Sequence, residues 1–121
     1  MKQVRHYILT QTAEEDFRDA KKWSRQRWGN DSTKHYFQDL HEAANTLAKN
    51  QKQYQAREDL NGDTGLCIHA VREHYLVYIP RGGKQIIIVS LIRQTQDVPS
   101  ILRSHAAQIK IDIDDIFNQK N

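Results

Sequence analysis

Little in this chain of 121 residues can bridge, kink or loosen a backbone: it has one cysteine, two prolines and five glycines. A lone cysteine, Cys67, cannot close an internal disulfide, which fits a reducing compartment and points to the cytoplasm. No run of about 18 apolar residues occurs, so no segment spans a membrane as a helix. The N-terminal MKQVRHYILTQTAEEDF has only three consecutive apolar residues, Tyr7, Ile8 and Leu9, too few for a secretory signal. Apolar residues make up 38 %, below the ordinary globular share, and charged residues 27 %. The length suits one domain with one thin core, and excludes an enzyme built as a cleft between two domains. An apolar surface left for a partner is therefore expected.

The net charge is +3, unevenly spread. Between residues 66 and 103 stand Arg72, Arg81, Lys84, Arg93 and Arg103 against Glu73 and Asp97, whereas residues 31 to 65 are net acidic. That part of the C-terminal half is where an anionic partner is expected to dock.

Residues 4 to 9, rich in β-branched and aromatic types, read as a strand. Thr12-Ala13-Glu14-Glu15 reads as a capping box for a helix carrying Ala13, Phe17, Ala20, Ser24 and Trp28 on one stripe, with Trp23 beside them. Gly29 supplies a left-handed stop. A second helix, capped by Asp31 or Ser32, repeats Tyr36, Phe37, Leu40, Ala43, Ala44, Leu47 and Ala48 at helical spacing to about Asn50. The short connection makes a helical hairpin. Residues 51 to 65 read as a surface loop, with Asn61-Gly62-Asp63-Thr64-Gly65 as turn chemistry.

Three strands are expected next, over 66–71, 74–79 and 85–92, the last two joined by a tight hairpin at Pro80-Arg81-Gly82-Gly83-Lys84. The run from Gln85 to Ile92 is apolar on both faces and belongs in the middle of a sheet. The fold class is thus α+β, in the order β-α-α-β-β-β, with the N-terminal helical hairpin packed on an antiparallel sheet. After Pro99 a short helix is possible, and residues 108 to 117 alternate Ile with charge in a way that permits either an edge strand or an amphipathic helix.

Several local patterns, in this order, resemble the ParE-type toxins of the RelE/ParE toxin–antitoxin superfamily. They are Leu9-Thr10, Ala13-Glu14-x-Asp16-Phe17, Trp23 and Arg27-Trp28-Gly29 in the first third, then Tyr36, Leu40 and Leu47-Ala48-x-Asn50. His74 to Tyr78 and Ile86-x-Ile88-Val89-x-Leu91-Ile92-Arg93-Gln94-x-x-Asp97-Val98 complete the set, which covers roughly residues 5 to 102. The chain departs from the family at Gln51, where a proline is usual, and at Leu66-Cys67-Ile68-His69, where a Gly-Tyr-Arg turn is usual. Residues 1–107 are accordingly read as a single toxin domain and 108–121 as an extension of unknown role.

The resemblance implies a type II toxin that binds DNA gyrase, arrests growth, and is neutralised by a cognate ParD-like antitoxin in a hetero-oligomer. It implies no membrane association, no cofactor, and no sequence-specific DNA binding except through the antitoxin. Residues implied for the target are Arg72, His74, Arg93, Gln94 and Asp97; those implied for the antitoxin are Trp23, Arg27, Trp28, Tyr36 and Phe37. The alternative is a RelE-like ribosome-dependent mRNA endonuclease, which needs clustered cations and a proton-transfer group. Arg72 matches one basic position of that branch, but Gln96 and Ser100 stand where a second arginine and a tyrosine are expected, and only His69 and His74 remain for proton transfer. No catalytic residue is therefore assigned.

Plainer roles exist for each residue. Trp23 and Trp28 suit core packing, and only one of the adjacent Tyr36 and Phe37 is expected to point fully inward. Arg72, Arg81 and Lys84 suit solvated turns, and Asp97 suits the cap of a following helix. No two of the six histidines stand at the helical i, i+4 spacing of a zinc site, so no metal is assigned. Cys67 reads as a small buried hydrophobe.

Overall fold

A computed structural model describes residues 6–50 and 59–118. Its elements run β1 (Tyr7–Leu9), α1 (Gln11–Trp28), α2 (Asn30–Lys49), β2 (Cys67–Val71), β3 (His74–Gly82), β4 (Gln85–Arg93) and α3 (Val98–Asn118). The sheet order is β1-β4-β3-β2. Strands β2, β3 and β4 form the antiparallel block that the sequence patterns predict, and β1 joins parallel to β4. The doubly apolar β4 does sit inside the sheet. Residues 4 and 5 of the expected first strand, and most of the loop at 51–58, lie outside the described residues.

Helix α1 begins earlier than the Thr12 box suggests. Thr10 is held extended by a bond from its amide to the Ile88 carbonyl (3.1 Å), and its side chain accepts from the Ala13 amide at 3.1 Å. Thr10 is thus the N-cap. Thr12 instead reaches across to α3, where its hydroxyl donates to Asp112 at 2.8 Å. The two helices are joined by one residue rather than two or three. Gly29 has φ +86° and ψ 177°, an extended positive-φ conformation essentially closed to other residues, and it caps both helices, so neither Asp31 nor Ser32 does.

The hairpin covers one sheet face. Ala13, Ala20, Tyr36, Leu40, Ala44 and Ala48 pack on Leu76, Tyr78, Ile86, Ile88 and Leu91. Small residues along α2 let the helix lie close to the strands, and each fully buried Leu or Ile contributes about 1.5–3 kcal/mol. Cys67 lies in this core with its thiol pKa raised by burial.

The second face is closed by α3, the element whose form the sequence leaves open. It is one continuous helix, not a short helix followed by a strand, and it runs unbroken through residue 108. Leu102 and Ile109 are buried against Val77, Ile87 and Val89, with Ile113 and Ile116 at the margin. The architecture is therefore three layers rather than two. Asp112, buried on α3, accepts from Thr12 Oγ1 (2.8 Å) and Gln108 Nε2 (2.9 Å), tying α3 to the N-terminus of α1. A carboxylate is favoured there because the first amides of a helix carry partial positive charge.

One turn departs from the surface loop expected of it. Asn61 is buried, donating to the Leu66 carbonyl (3.1 Å) and accepting from the Asp63 amide (3.0 Å). Gly62, at φ +62°, lies so close to α3 that a Cβ would meet the Pro99 carbonyl oxygen at 2.6 Å.

Candidate functional site

The register of β3 on β4 decides what faces what. Val77 pairs with Ser90, yet the next residue, Tyr78, pairs with Ile88, so Val89 is an extra residue in β4. This bulge shifts the alternation of β4 by one position. Ile86 and Ile88 face the hairpin before it, and Leu91 faces the hairpin after it. Consequently His74 stands opposite Arg93. With regular pairing from Tyr78 and Ile88 onward, its neighbour would be Ile92.

Around that pair, residues from four elements converge. The Trp23 ring, on α1, lies between two guanidiniums, with the Arg27 Cζ 4.9 Å and the Arg93 Cζ 5.3 Å from its centroid. Trp28 meets it edge-on at 5.2 Å, and His74 edge-on at 5.5 Å. Tyr36 joins Trp28 (5.3 Å) to His74 (5.5 Å), and Arg72 lies over Tyr36 at 5.5 Å while pairing with Asp39. Cation–ring contacts of this kind are worth about 0.5–2 kcal/mol each, so the rings order Arg27 and Arg93 without neutralising them, whereas Arg72 is also paired with Asp39.

Trp23, Arg27, Trp28 and Tyr36 from the set implied for the antitoxin thus meet Arg72, His74 and Arg93 from the set implied for the target, whereas Phe37 and Asp97 lie apart from the cluster. Exposure differs within it. Trp28 is 37 % exposed and Arg72 is open, whereas Tyr36 (0 %) and His74 (2 %) lie beneath them. Tyr36 and Phe37 are both buried, against the expectation that one faces outward. The reason is that Phe37 fills the seam between the two helices, edge-on to Phe17 at 6.0 Å and under the Lys21 ammonium at 5.7 Å.

Two further residues act as braces. Gln94 Nε2 donates to the Arg72 carbonyl (2.7 Å) and the His74 carbonyl (3.0 Å), and its amide donates to the Glu73 carbonyl (2.9 Å). It holds the β2–β3 turn, where Arg72 adopts φ +52°, unusual for a side-chain-bearing residue. Asp97 caps α3, accepting from the Ser100 hydroxyl at 2.9 Å and its amide at 3.3 Å.

Asp16, Asp39 and Gln96 join the site although sequence reasoning gives none of them a role there. Asp16 accepts from Ser90 Oγ (2.7 Å) and the Leu91 amide (3.1 Å), and burial raises its pKa against the pull of those bonds. With Trp23, His74, Arg93 and Gln96 it lines a pocket of about 330 Å³. The available signal was spacing: Asp16 lies two helical turns before Trp23, on the same face of α1.

His74 is the one titratable ring at the centre. Burial, helped by the nearby Arg93 charge, lowers its pKa to about 4. Burial raises the Tyr36 hydroxyl to about 12, so it stays protonated, and it shares a hydrogen bond with His74 Nδ1 while donating to the Val71 carbonyl at 3.5 Å. In the unfolded chain the histidine takes a proton below its ordinary value of 6.5, but the folded site resists until about 4. Stability is therefore expected to fall as pH drops from about 6.5 to 4, by on the order of 3 kcal/mol from this group alone. Urea unfolding at neutral pH and near pH 4.5, with His74→Phe beside the wild type, checks it: the variant should lose most of the difference.

A family model described as the ParE toxin of the type II toxin–antitoxin system parDE matches residues 7–98. The chain belongs to the ParE toxin family. The Toxin ParE of Escherichia coli is 26 % identical over 92 residues, a stretch covering 76 % of this chain and 87 % of that protein. A solved structure of the chromosomal ParDE system from P. aeruginosa shares the fold, with a TM-score of 0.56 at 18 % identity over 72 % of this chain and 92 % of the other. The matched span holds every residue of the aromatic–cation cluster and ends where α3 begins, so nearly all of the helix that covers the second sheet face lies beyond the ParE family match. No helix among the described residues is long and apolar enough to cross a membrane.

Proposed function

We propose that this ParE family member is a growth-arresting toxin that acts in the cytoplasm by binding DNA gyrase, without chemistry of its own, and is neutralised by a cognate ParD-like antitoxin. The observation that carries the reading is the state of His74. A group with a pKa near 4 is protonated in roughly one molecule in a thousand at pH 7 and is a weak base, poorly matched to proton transfer there. Its neighbours favour recognition instead. Trp28, Arg27, Arg72 and Arg93 form a rigid aromatic–cation surface of the type that anchors protein partners.

In this reading target and antitoxin compete for one surface. An acidic antitoxin side chain pairs with Arg72 or Arg93 while an apolar one packs on Trp28, and Tyr36, His74 and Gln94 hold the surface from below. The test sets a gyrase supercoiling and cleavage assay beside ribosome-dependent mRNA cleavage, using the purified full chain. Gyrase inhibition relieved by antitoxin, with mRNA left intact, is expected. Cleaved mRNA with normal supercoiling would overturn the reading in favour of the ribonuclease branch.

A further inference from the structure

The largest concentration of charge in the molecule shares only Arg27 with the cluster just described. Residues 18–35, the tip of the helical hairpin, carry Arg18, Lys21, Lys22, Arg25, Arg27 and Lys34 against Asp19 and Asp31. That excess exceeds the +3 of the whole chain, so the remainder is slightly acidic. All six cations are exposed, and among the described residues none pairs with a carboxylate. Two shallow grooves meet at Arg25, one holding Arg18 and Lys22 along α1, the other holding Lys21 and Lys34 between α1 and α2.

Helix electrostatics explains only part of this. The negative C-terminal end of α1 favours Arg25 and Arg27, which lie in its last turn. The same rule gives no reason for Arg18, Lys21, Lys22 or Lys34, which lie outside the end turns that it covers.

We infer that the tip of the helical hairpin is a sequence-independent docking surface for the phosphate backbone of double-stranded DNA. Arg18, Lys22 and Arg25 recur every three or four residues and form a row about 10 Å long at 1.5 Å rise per residue. Lys21 lies beside this row on α1, and Lys34 faces it across the seam from α2, helix axes being about 8–10 Å apart. A row of this length, faced by a cation on the second helix, suits a duplex, which offers two strands and one charge per about 1.7 Å of axis, better than a single strand. An acidic protein is the poorer match, because such partners bring apolar anchors, and the residues lining the groove at Arg18, Lys22 and Arg25 are polar or charged throughout, Asp19 and Gln26 completing it. The surface adjoins Arg27 and Trp28, so DNA held there lies beside the recognition cluster. The inference does not depend on gyrase, because naked DNA is the probe.

The experiment measures fluorescence anisotropy of a labelled duplex of about 20 base pairs with the full chain, over about 50–300 mM salt. Micromolar binding at the lowest salt, similar for unrelated sequences, is expected. The triple variant Arg18→Gln, Lys22→Gln, Arg25→Gln should bind at least about tenfold more weakly, with the salt slope reduced by about 3. Lys21→Gln with Lys34→Gln should give a smaller loss of the same kind. Arg81→Gln with Lys84→Gln, on the distant β3–β4 hairpin, should bind as the wild type does. Circular dichroism confirms that each variant keeps its helices.

Absence of binding by the wild type overturns the inference, as does equal weakening in the distant pair, which would reduce the effect to net charge. Displacement of DNA by polyglutamate more readily than by unlabelled duplex would assign the surface to an acidic protein. Tighter binding of double-stranded RNA would assign it to RNA.

Discussion

Tyr36→Ala is expected to lower the free energy of unfolding by about 3–5 kcal/mol, the usual loss for a large aromatic removed from a core. Tyr36 is wholly buried and touches Trp28, Phe37 and His74, with the Arg72 guanidinium over its ring. Its removal leaves a void beneath the exposed tryptophan and strips the buried His74 of its hydroxyl partner. Tyr36→Phe separates these two effects, since the ring stays and only the hydrogen bond goes; a loss of about 1–2 kcal/mol is expected there. Urea denaturation followed by circular dichroism measures both. Near-equal losses in the two variants would mean that the hydroxyl, not the ring, holds the cluster.

The second large effect belongs to α3. Leu102 is fully buried between this helix and Val77, Ile87 and Val89. Leu102→Ala should cost about 2–5 kcal/mol, a large part of the roughly 5–15 kcal/mol typical of a domain. Ile111→Ala, on the outer side of the same helix and 53 % exposed, should cost less than about 0.5 kcal/mol. The contrast tests the docking itself. A Leu102→Ala loss as small as that of Ile111→Ala would mean that α3 does not cover the sheet in solution.

Much of the architecture was legible because its signals are local. The α2 stripe from Tyr36 to Ala48 is set by helical periodicity, and the doubly apolar Gln85–Arg93 announces an interior strand without any knowledge of its neighbours. The Gly83-Lys84 turn follows from positive φ at both positions. What escaped depends on contacts between distant segments. Thr10 rather than Thr12 caps α1 because β4 holds Thr10 extended, and no window of sequence contains both. The form of α3 was undecidable from residues 108 to 117 alone. Ile109, Ile113 and Ile116 suit a helix, while the alternation of isoleucines with Lys110, Asp112 and Asp114 suits a strand, and the open face of the sheet settles the matter.

The candidate residues show the same division. The family resemblance pointed to Trp23, Trp28, Arg72, His74 and Arg93, and the fold brings them to one surface. Listing residues in two sets could not show that members of both pack against one another. Nor did sequence reveal that Gln94 braces a turn, a role that depends on where the Arg72 and His74 carbonyls happen to lie. The cap supplied by Asp97 was within reach, because a capping residue and the helix it starts are neighbours in the chain.

The unpaired residue in β4 has a consequence for how relatives are compared. Which side chain meets His74 depends on a count of positions along the strand, not only on which residues are present. A relative retaining both the histidine and the arginine, but shorter by one residue between the arginine and the end of the bulge, would aim its arginine at the opposite layer. Conversely, a chain with a different cation one step away could rebuild the same contact by gaining a residue. Where a gap of length one falls in this strand therefore matters as much to the contact between His74 and Arg93 as a substitution does: on the arginine side of the bulge it breaks the pair, whereas at Val89 itself it leaves the pair in place.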